Sequence, residues 1–240
     1  MTYPLKISKI SKSFGDRPVL DEVDLIVQKN HIFGFIGLNG VGKTTLIKII
    51  LDLLYEDDGF VEIFGVSKIL PESRKKIFYL PEKFSPSPYL KGEEFLRFVL
   101  DFHGLKLDKA RLCALCENLD LPLKMLQQKV TKYSKGMVQK LGLIATFLSD
   151  ADLVILDEPM SGLDTKARIK LKSELLDYKK RGKTVFFSSH ILSDMDEICD
   201  EIAVLDKQKI VFSGTPQSFK IKNKEDDLDK AFLRQIGEKK

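Results

Sequence analysis

Apolar and polar positions alternate through most of the first thirty residues. Leu5, Ile7 and Ile10, then Val19, Leu20, Val23, Leu25 and Val27, fit half-buried strands. Gly15-Asp16-Arg17-Pro18 between them is rich in turn formers, which predicts an antiparallel pair. From Ile32 to Ile36 the alternation gives way to an unbroken short run, the pattern of a strand buried on both faces. Thr45 to Leu51 then carries apolar residues at helical spacing. Short strands are predicted at 59–65 (GFVEIFG) and 77–80 (IFYL). Residues 83–94, KFSPSPYLKGEE, are broken by proline and lead into a helix start at Phe95–Leu100. Residues 93–148 hold leucine-rich helical patterns and no strand. Strand LVILD (153–157), a helix over 164–181, strand TVFFSS (184–189), a helix over 191–199 and strands near 201–205 and 209–213 follow. Beyond Lys220 charge dominates, yet Leu228, Phe232, Leu233 and Ile236 recur at helical spacing.

Composition narrows the class. The 240-residue chain is 43% hydrophobic, enough for a substantial core. Its 39 basic and 35 acidic residues leave a net charge of +4, too mild to argue for nucleic acid. No apolar run approaches the ~20 residues that span a bilayer, and MTYPLKISKI lacks a signal-peptide core, so a soluble, cytoplasmic chain is expected. Cys113 and Cys116 form a C-x-x-C without a second pair nearby. Beside Leu112 and Leu115 they read as small core residues of one helix face rather than metal ligands.

The first candidate chemistry lies between the strand at 32–36 and the helix that follows. GLNGVGKTT (37–45) fits G-x-x-x-x-G-K-S/T through Gly37, Gly42, Lys43 and Thr44, with Gly40 inside it. By chance the pattern arises in on the order of one per cent of chains this long, and the strand–loop–helix context lowers that further. Glycines let consecutive N–H groups curl around an anion, and a helix N-terminus adds unpaired donors. Lys43 suits the β- and γ-phosphates and the Thr44 hydroxyl suits Mg²⁺, so a nucleoside triphosphate with magnesium is predicted. Asn39 and Thr45, in the same loop, join the predicted nucleotide contacts. Asp157 ends a buried strand at the sheet edge where α/β folds bind ligands, and is a further Mg²⁺ candidate. Glu158, next to it, is placed to accept a proton from an attacking water. In YSKGMVQ (133–139) Ser134 is an N-cap and Gly136 leaves the backbone open, a second helix start suited to an anion.

Phosphate loop, YSKGM, LVILDE, SGLD (161–164) and FSSH (187–190) occur in an order that resembles the nucleotide-binding subunit of an ATP-binding cassette (ABC) transporter, over residues 3 to about 220. It looks most like subunits of bacterial multidrug and antibiotic exporters. The resemblance implies an α/β P-loop NTPase core with a mixed sheet (1–82 and 150–220), an antiparallel β subdomain, an inserted helical subdomain (about 83–149) and a charged, partly helical tail (221–240). It further implies ATP and Mg²⁺ as ligands and two subunits, identical or paired, closing head to tail. Ser134 and Gly136 would then meet the γ-phosphate held by the other subunit. By resemblance Glu158 is the catalytic base, His190 contacts the γ-phosphate, Asp164 belongs to the nucleotide site, and Phe14 stacks on adenine where the family usually has Tyr. A buried core role is the other reading of Phe14. The family also implies a separate integral-membrane permease and a place on the inner face of the cell membrane.

Two departures stand out. The signature, commonly Leu-Ser-Gly-Gly-Gln, is Tyr133-Ser134-Lys135-Gly136-Met137, and the Gln common between core and helical subdomain is Glu82, a carboxylate Mg²⁺ candidate. Phe84, Pro86, Pro88, Tyr89 and Leu90 after it form an apolar strip expected, with the adjacent helix, to receive a short cytoplasmic helix of the permease; the other reading is that Tyr89 and Leu90 cap the following helix against the subdomain. Asn223-Lys224-Glu225-Asp226 matches the guanine-reading N-K-x-D, but in a charged segment that ends no buried strand, so a GTPase is rejected. A soluble ABC ATPase, such as one of iron–sulfur assembly, is the remaining alternative.

Overall fold

A computed structural model of the protein describes residues 2–237. The N-terminal alternation forms β1 (Leu5–Phe14) and β2 (Arg17–Val27), antiparallel, with Leu5 opposite Val27 and Phe14 opposite Arg17. On its other edge β1 pairs with β4 (Asp58–Ile63), which pairs in turn with the two-residue β5 (Val66–Ser67). The predicted strand at 59–65 ends early. Phe64 and Gly65 both take positive φ, the signature of a tight primed turn, and this makes a hairpin of β4 and β5.

The second sheet has six strands. β3 (Ile32–Ile36) lies at its centre, between β8 (Thr184–Ser189) and β9 (Glu201–Asp206), parallel to both. β7 (Leu153–Asp157) and β6 (Ile77–Leu80) extend the parallel run on one side, and β10 (Lys209–Gly214) adds an antiparallel edge beyond β9. The predicted mixed sheet is thus observed. Alternate residues of its central strands serve different cores. Phe33, Phe35, Leu153, Ile155 and Phe186 pack with the antiparallel sheet and with α1 (Lys43–Ile50). Ile32, Ile36, Val154, Leu156, Val185 and Phe187 pack toward the helices of the opposite face. A continuous apolar run therefore satisfies two layers at once, each fully buried aromatic or aliphatic side chain contributing about 1.5–3 kcal/mol. Gly34 breaks the run because a Cβ there would lie 2.9 Å from Cys199 Sγ, where the chain passes close over β3.

A short α2 (Pro71–Arg74) precedes β6. Between β6 and β7 the chain is helical, as predicted: α3 (Gly92–Phe102), α4 (Lys109–Asn118), tight turns at Leu123–Gln127 and Val130–Lys132, and the almost wholly buried α5 (Lys135–Leu148). In α4 the buried face is Leu112, Leu115 and Cys116, with Cys113 exposed. The expectation that both cysteines are core residues holds for Cys116 alone. One residue past Leu112, Cys113 is rotated by about 100° from that face.

α6 (Thr165–Lys180) and α7 (Leu192–Ile198) follow β7 and β8. The segment beyond 220 forms the end of α8 (Pro216–Asn223) and α9 (Leu228–Gln235). It is docked against the main core: Phe219, Leu228, Ala231 and Phe232 are buried, and Lys220 pairs with Asp196 of α7 at 2.9 Å. Asn223 of the N-K-x-D match ends α8 with its amide on Phe219 O at 3.0 Å, and Lys224 is a left-handed cap. The tetrapeptide closes a helix and lies at no strand end. Residues 238–240 of the predicted tail lie outside the described residues.

Candidate functional site

Three parallel strand ends and one helix start converge at the C-terminal edge of the six-stranded sheet. The loop from β3 to α1 needs its glycines for specific reasons. A Cβ on Gly37 would lie 2.8 Å from Leu205 O, and Gly42 has φ +121° with Val19 O 3.1 Å from its Cβ position. Gly42 is also the N-cap of α1 and offers no side chain to its first-turn amides, so these donors face outward, the arrangement that receives an anion. Lys43, the first residue of α1, folds back over the loop. Its Nζ donates to Gly37 O at 2.7 Å and Leu38 O at 3.3 Å, and lies 3.9 Å from Glu158 Oε1. Burial pushes the Lys43 ammonium below its ordinary pKa, against the opposing pull of Glu158, Asp157 and Glu82.

β7 and β8 supply the carboxylates and the residues that hold them. Asp157 pairs in register with Ser188. Both are buried, and Ser188 Oγ donates to Asp157 Oδ1 at 2.6 Å. The other Asp157 oxygen accepts from Thr44 Oγ1 at 2.9 Å, joining the strand end to α1. Glu158 follows with φ +52°, a left-handed conformation uncommon for a side chain of its size. That turn sends its carboxylate toward the loop. Oε2 lies 2.6 Å from His190 Nδ1 and accepts from the His190 N–H at 3.3 Å. Oε1 is buried and has no hydrogen-bond partner. A buried carboxylate oxygen left unpaired is costly, which marks the position as one suited to a further donor. Burial and the nearby Asp157 and Glu82 push the Tyr79 hydroxyl up to about 12.

These groups surround a cavity of about 290 Å³. Of the residues predicted from sequence, Asn39, Gly40, Gly42, Lys43, Thr44, Thr45, Glu82, Asp157, Glu158 and His190 line it together. Gly37 lies beneath it, accepting from Lys43. The others are elsewhere. Ser134 is the exposed N-cap of α5, its Oγ accepting from Met137 N–H at 3.2 Å. Gly136 sits against the following loop, with Gly162 O 3.1 Å from its Cβ position. Asp164 caps α6 through Ala167 N–H at 2.8 Å. Phe14, 51% exposed at the end of β1, has Lys12 Nζ over its ring at 5.7 Å, so the buried-core reading fails.

Sequence reasoning missed Ser161, which lines the cavity, and two buried polar residues near it. Gln139 donates to Pro159 O at 3.1 Å and ties α5 to the turn after Glu158. Ser188 bridges the two carboxylate residues. Two hydroxyls closing a strand behind the apolar run Val185–Phe187 were the available signal for Ser188; nothing in the pattern marked Gln139.

A cavity of about 440 Å³ opens between the 82–88 loop and α5, lined among others by Phe84, Pro86, Pro88, Val130 and Val138. Phe84 is half-buried, its ring edge-on to Phe95 at 5.6 Å, and Pro86 is buried. The expected apolar strip is thus mostly a wall of this groove, with Tyr89 exposed at its end.

The profile of the ABC transporter family matches residues 20–161. An ABC transporter ATP-binding protein of Synechocystis sp. is 36% identical over 199 residues, covering 82% of this chain and 56% of that protein. The chain therefore spans just over half the length of that relative. The Nod factor export ATP-binding protein I of Burkholderia orbicola is 28% identical over 219 residues, covering 90% of this chain and 72% of that protein. A solved structure of an ATP-binding subunit of an ABC transporter superposes with a TM-score of 0.88 at 28% identity, covering 96% of this chain and 98% of the other.

Proposed function

This chain belongs to the ABC transporter family, and from that premise we propose that it binds and hydrolyses ATP to drive a separate membrane permease, in the direction of export. The observation that carries the hydrolytic part is the buried Glu158 Oε1, without a partner and 3.9 Å from Lys43 Nζ. A base poised against the lysine of a phosphate loop is in position to take a proton from water attacking a terminal phosphate. Lys43 and the open amides of α1 hold the phosphates. His190, bound to the same carboxylate, orients it.

The donor set fits magnesium. Thr44 and Asp157 present hard oxygens in mutual contact, and Glu82 lines the same cavity. Among the described residues no group of three or more His, Cys, Asp or Glu could hold a metal unaided. That suits Mg²⁺, which takes one or two protein oxygens and completes its shell with water and phosphate. Bound there, it would neutralise charge on the β- and γ-phosphates.

Ser134 and Gly136, outside the cavity on a helix start, favour a head-to-tail pair in which each signature completes the other subunit's site. Among the described residues no helix is long and apolar enough to cross a membrane. A separate permease and a peripheral place on the cytoplasmic membrane face go with this reading, and the relative named for Nod factor export supports the direction.

Mixing tests the composite site. Lys43→Ala subunits and Ser134→Ala subunits are each expected to be nearly inactive alone. Together they form one site with both groups intact, and phosphate release should recover to a substantial fraction of the wild-type rate. If the mixture stays as inactive as its parts, the head-to-tail assignment is wrong.

A further inference from the structure

One hydroxyl touches both carboxylate residues of the proposed site. Ser188, the penultimate residue of β8, is fully buried and lies opposite Asp157 in the parallel register. Its Oγ donates to Asp157 Oδ1 at 2.6 Å and accepts from the Glu158 N–H at 3.0 Å. Only a group that is donor and acceptor at once can do both, which an aliphatic residue of similar size cannot. The two bonds act on different soft degrees of freedom. The first fixes the rotation of the Asp157 carboxylate, so that its second oxygen faces Thr44 Oγ1 at 2.9 Å. The second holds the amide of Glu158, whose φ of +52° persists only if its surroundings enforce it.

We propose that Ser188 is the positioning residue of this site, locking the Asp157 rotamer and the left-handed Glu158 backbone into one arrangement through a single hydroxyl. The proposal rests on the ATPase reading for its kinetic consequence, but its geometric consequence stands apart from it. Without the hydroxyl, Asp157 Oδ1 loses its buried donor and the carboxylate is free to rotate away from Thr44. Glu158 keeps only the longer bond from its N–H to Ser188 O, at 3.2 Å. The carboxylates remain present while their mutual placement loosens, so the defect belongs to turnover and to Mg²⁺ response rather than to phosphate binding.

The test compares Ser188→Ala with Ser188→Thr, which restores a hydroxyl. In nucleotide-free crystals of Ser188→Ala, Asp157 should leave its contact with Thr44 or Glu158 should leave the left-handed region. The alanine variant's kcat should fall about 10- to 100-fold, the usual effect of removing an orienting partner, and more Mg²⁺ should be needed for half-maximal rate. ATP affinity measured in EDTA should be unchanged, and Ser188→Thr should recover the rate. Ser188→Cys, which keeps the volume and weakens both bonds, serves the same measurements if the alanine variant does not fold. An unaltered Asp157 rotamer and Glu158 φ in nucleotide-free crystals would overturn the proposal, as would a threonine variant no faster than alanine. A wild-type protein that hydrolyses no ATP would sink the ATPase reading instead, and the crystals would still decide the role of Ser188.

Discussion

Replacing Glu158 by Gln changes one charge and almost no volume, so its effect can be worked from the site. Glu158 is 7% exposed, and its oxygen without a hydrogen-bond partner lies 3.9 Å from Lys43 Nζ. At an effective dielectric of about 20, unit charges at that distance interact by roughly 4 kcal/mol. In the nucleotide-free protein that attraction offsets the burial of both groups. A triphosphate docked on Lys43 turns the sign, because its terminal phosphate brings like charge to the same carboxylate. Removing the carboxylate's charge relieves a repulsion bounded by the same roughly 4 kcal/mol. In an open cleft water reduces this to about 1–2 kcal/mol, a five- to thirty-fold gain in affinity. The gain should be specific to ATP over ADP, since only ATP carries the γ-phosphate. Turnover should fall by about 10²–10⁴, the usual worth of a general base. Calorimetric titration of both nucleotides and phosphate release at saturating ATP and Mg²⁺ measure the two effects, and the slow variant should elute as a dimer with ATP. Turnover near the wild-type rate would refute the base assignment. ATP and ADP affinities rising together would refute the electrostatic argument.

Phe14→Ala should weaken ATP and GTP alike, by about 1–3 kcal/mol for a lost stacking platform, and leave thermal stability nearly unchanged because the ring is already half exposed; unaltered affinity in competition titrations would remove Phe14 from the site. Burial pushes the Cys116 thiol up to about 11, so at pH 8 it is protonated, and raising the pH toward that value increases its thiolate. A thiol reagent followed by mass spectrometry should label the exposed Cys113 first, and Cys116 only after unfolding; equal rates in the native protein would contradict the packing of α4. Tyr89→Asp at the exposed end of the groove should spare phosphate release by the isolated subunit and abolish co-purification with a permease. Phe84→Asp should instead lower the melting temperature, because that ring packs on Phe95; loss of assembly in neither variant would move the contact surface elsewhere.

Many of the residues that line the candidate site were legible along the chain because they belong to local units. The phosphate loop needs glycines, a lysine and a threonine at set spacing, and the backbone between a buried strand and a helix does the rest. Asp157 and Glu158 were legible because an aliphatic strand ending in carboxylates has one sensible place, the sheet edge. Ser134 was legible as a helix cap for the same local reason. The change of period, from alternation in β1 and β2 to unbroken runs in β3 and β7 with helical spacing between, marked the strands and helices, and the P-loop NTPase fold class came from the resemblance.

What sequence pattern left open were the partnerships between distant residues. Nothing in FSSH assigns Ser188 to Asp157 rather than to solvent; the parallel register of β7 and β8 does. Phe14 read by resemblance as a stacking ring, with a buried core role as the alternative, until the fold placed it at the turn end of the β1–β2 hairpin, beyond the last pairing of β1 with β4, where it is half exposed. Cys113 and Cys116 differ in burial because α4 presents Leu112, Leu115 and Cys116 inward, a rotation fixed by its packing beside α5. The charged stretch after Lys220 read as a tail by composition, yet Leu228, Ala231 and Phe232 pack beside α7 on a surface that exists only once the sheet and its helices are assembled. Local pattern sets which residues can bury or bind. Burial itself, and the bond between two side chains far apart in sequence, depend on surfaces that the rest of the fold supplies.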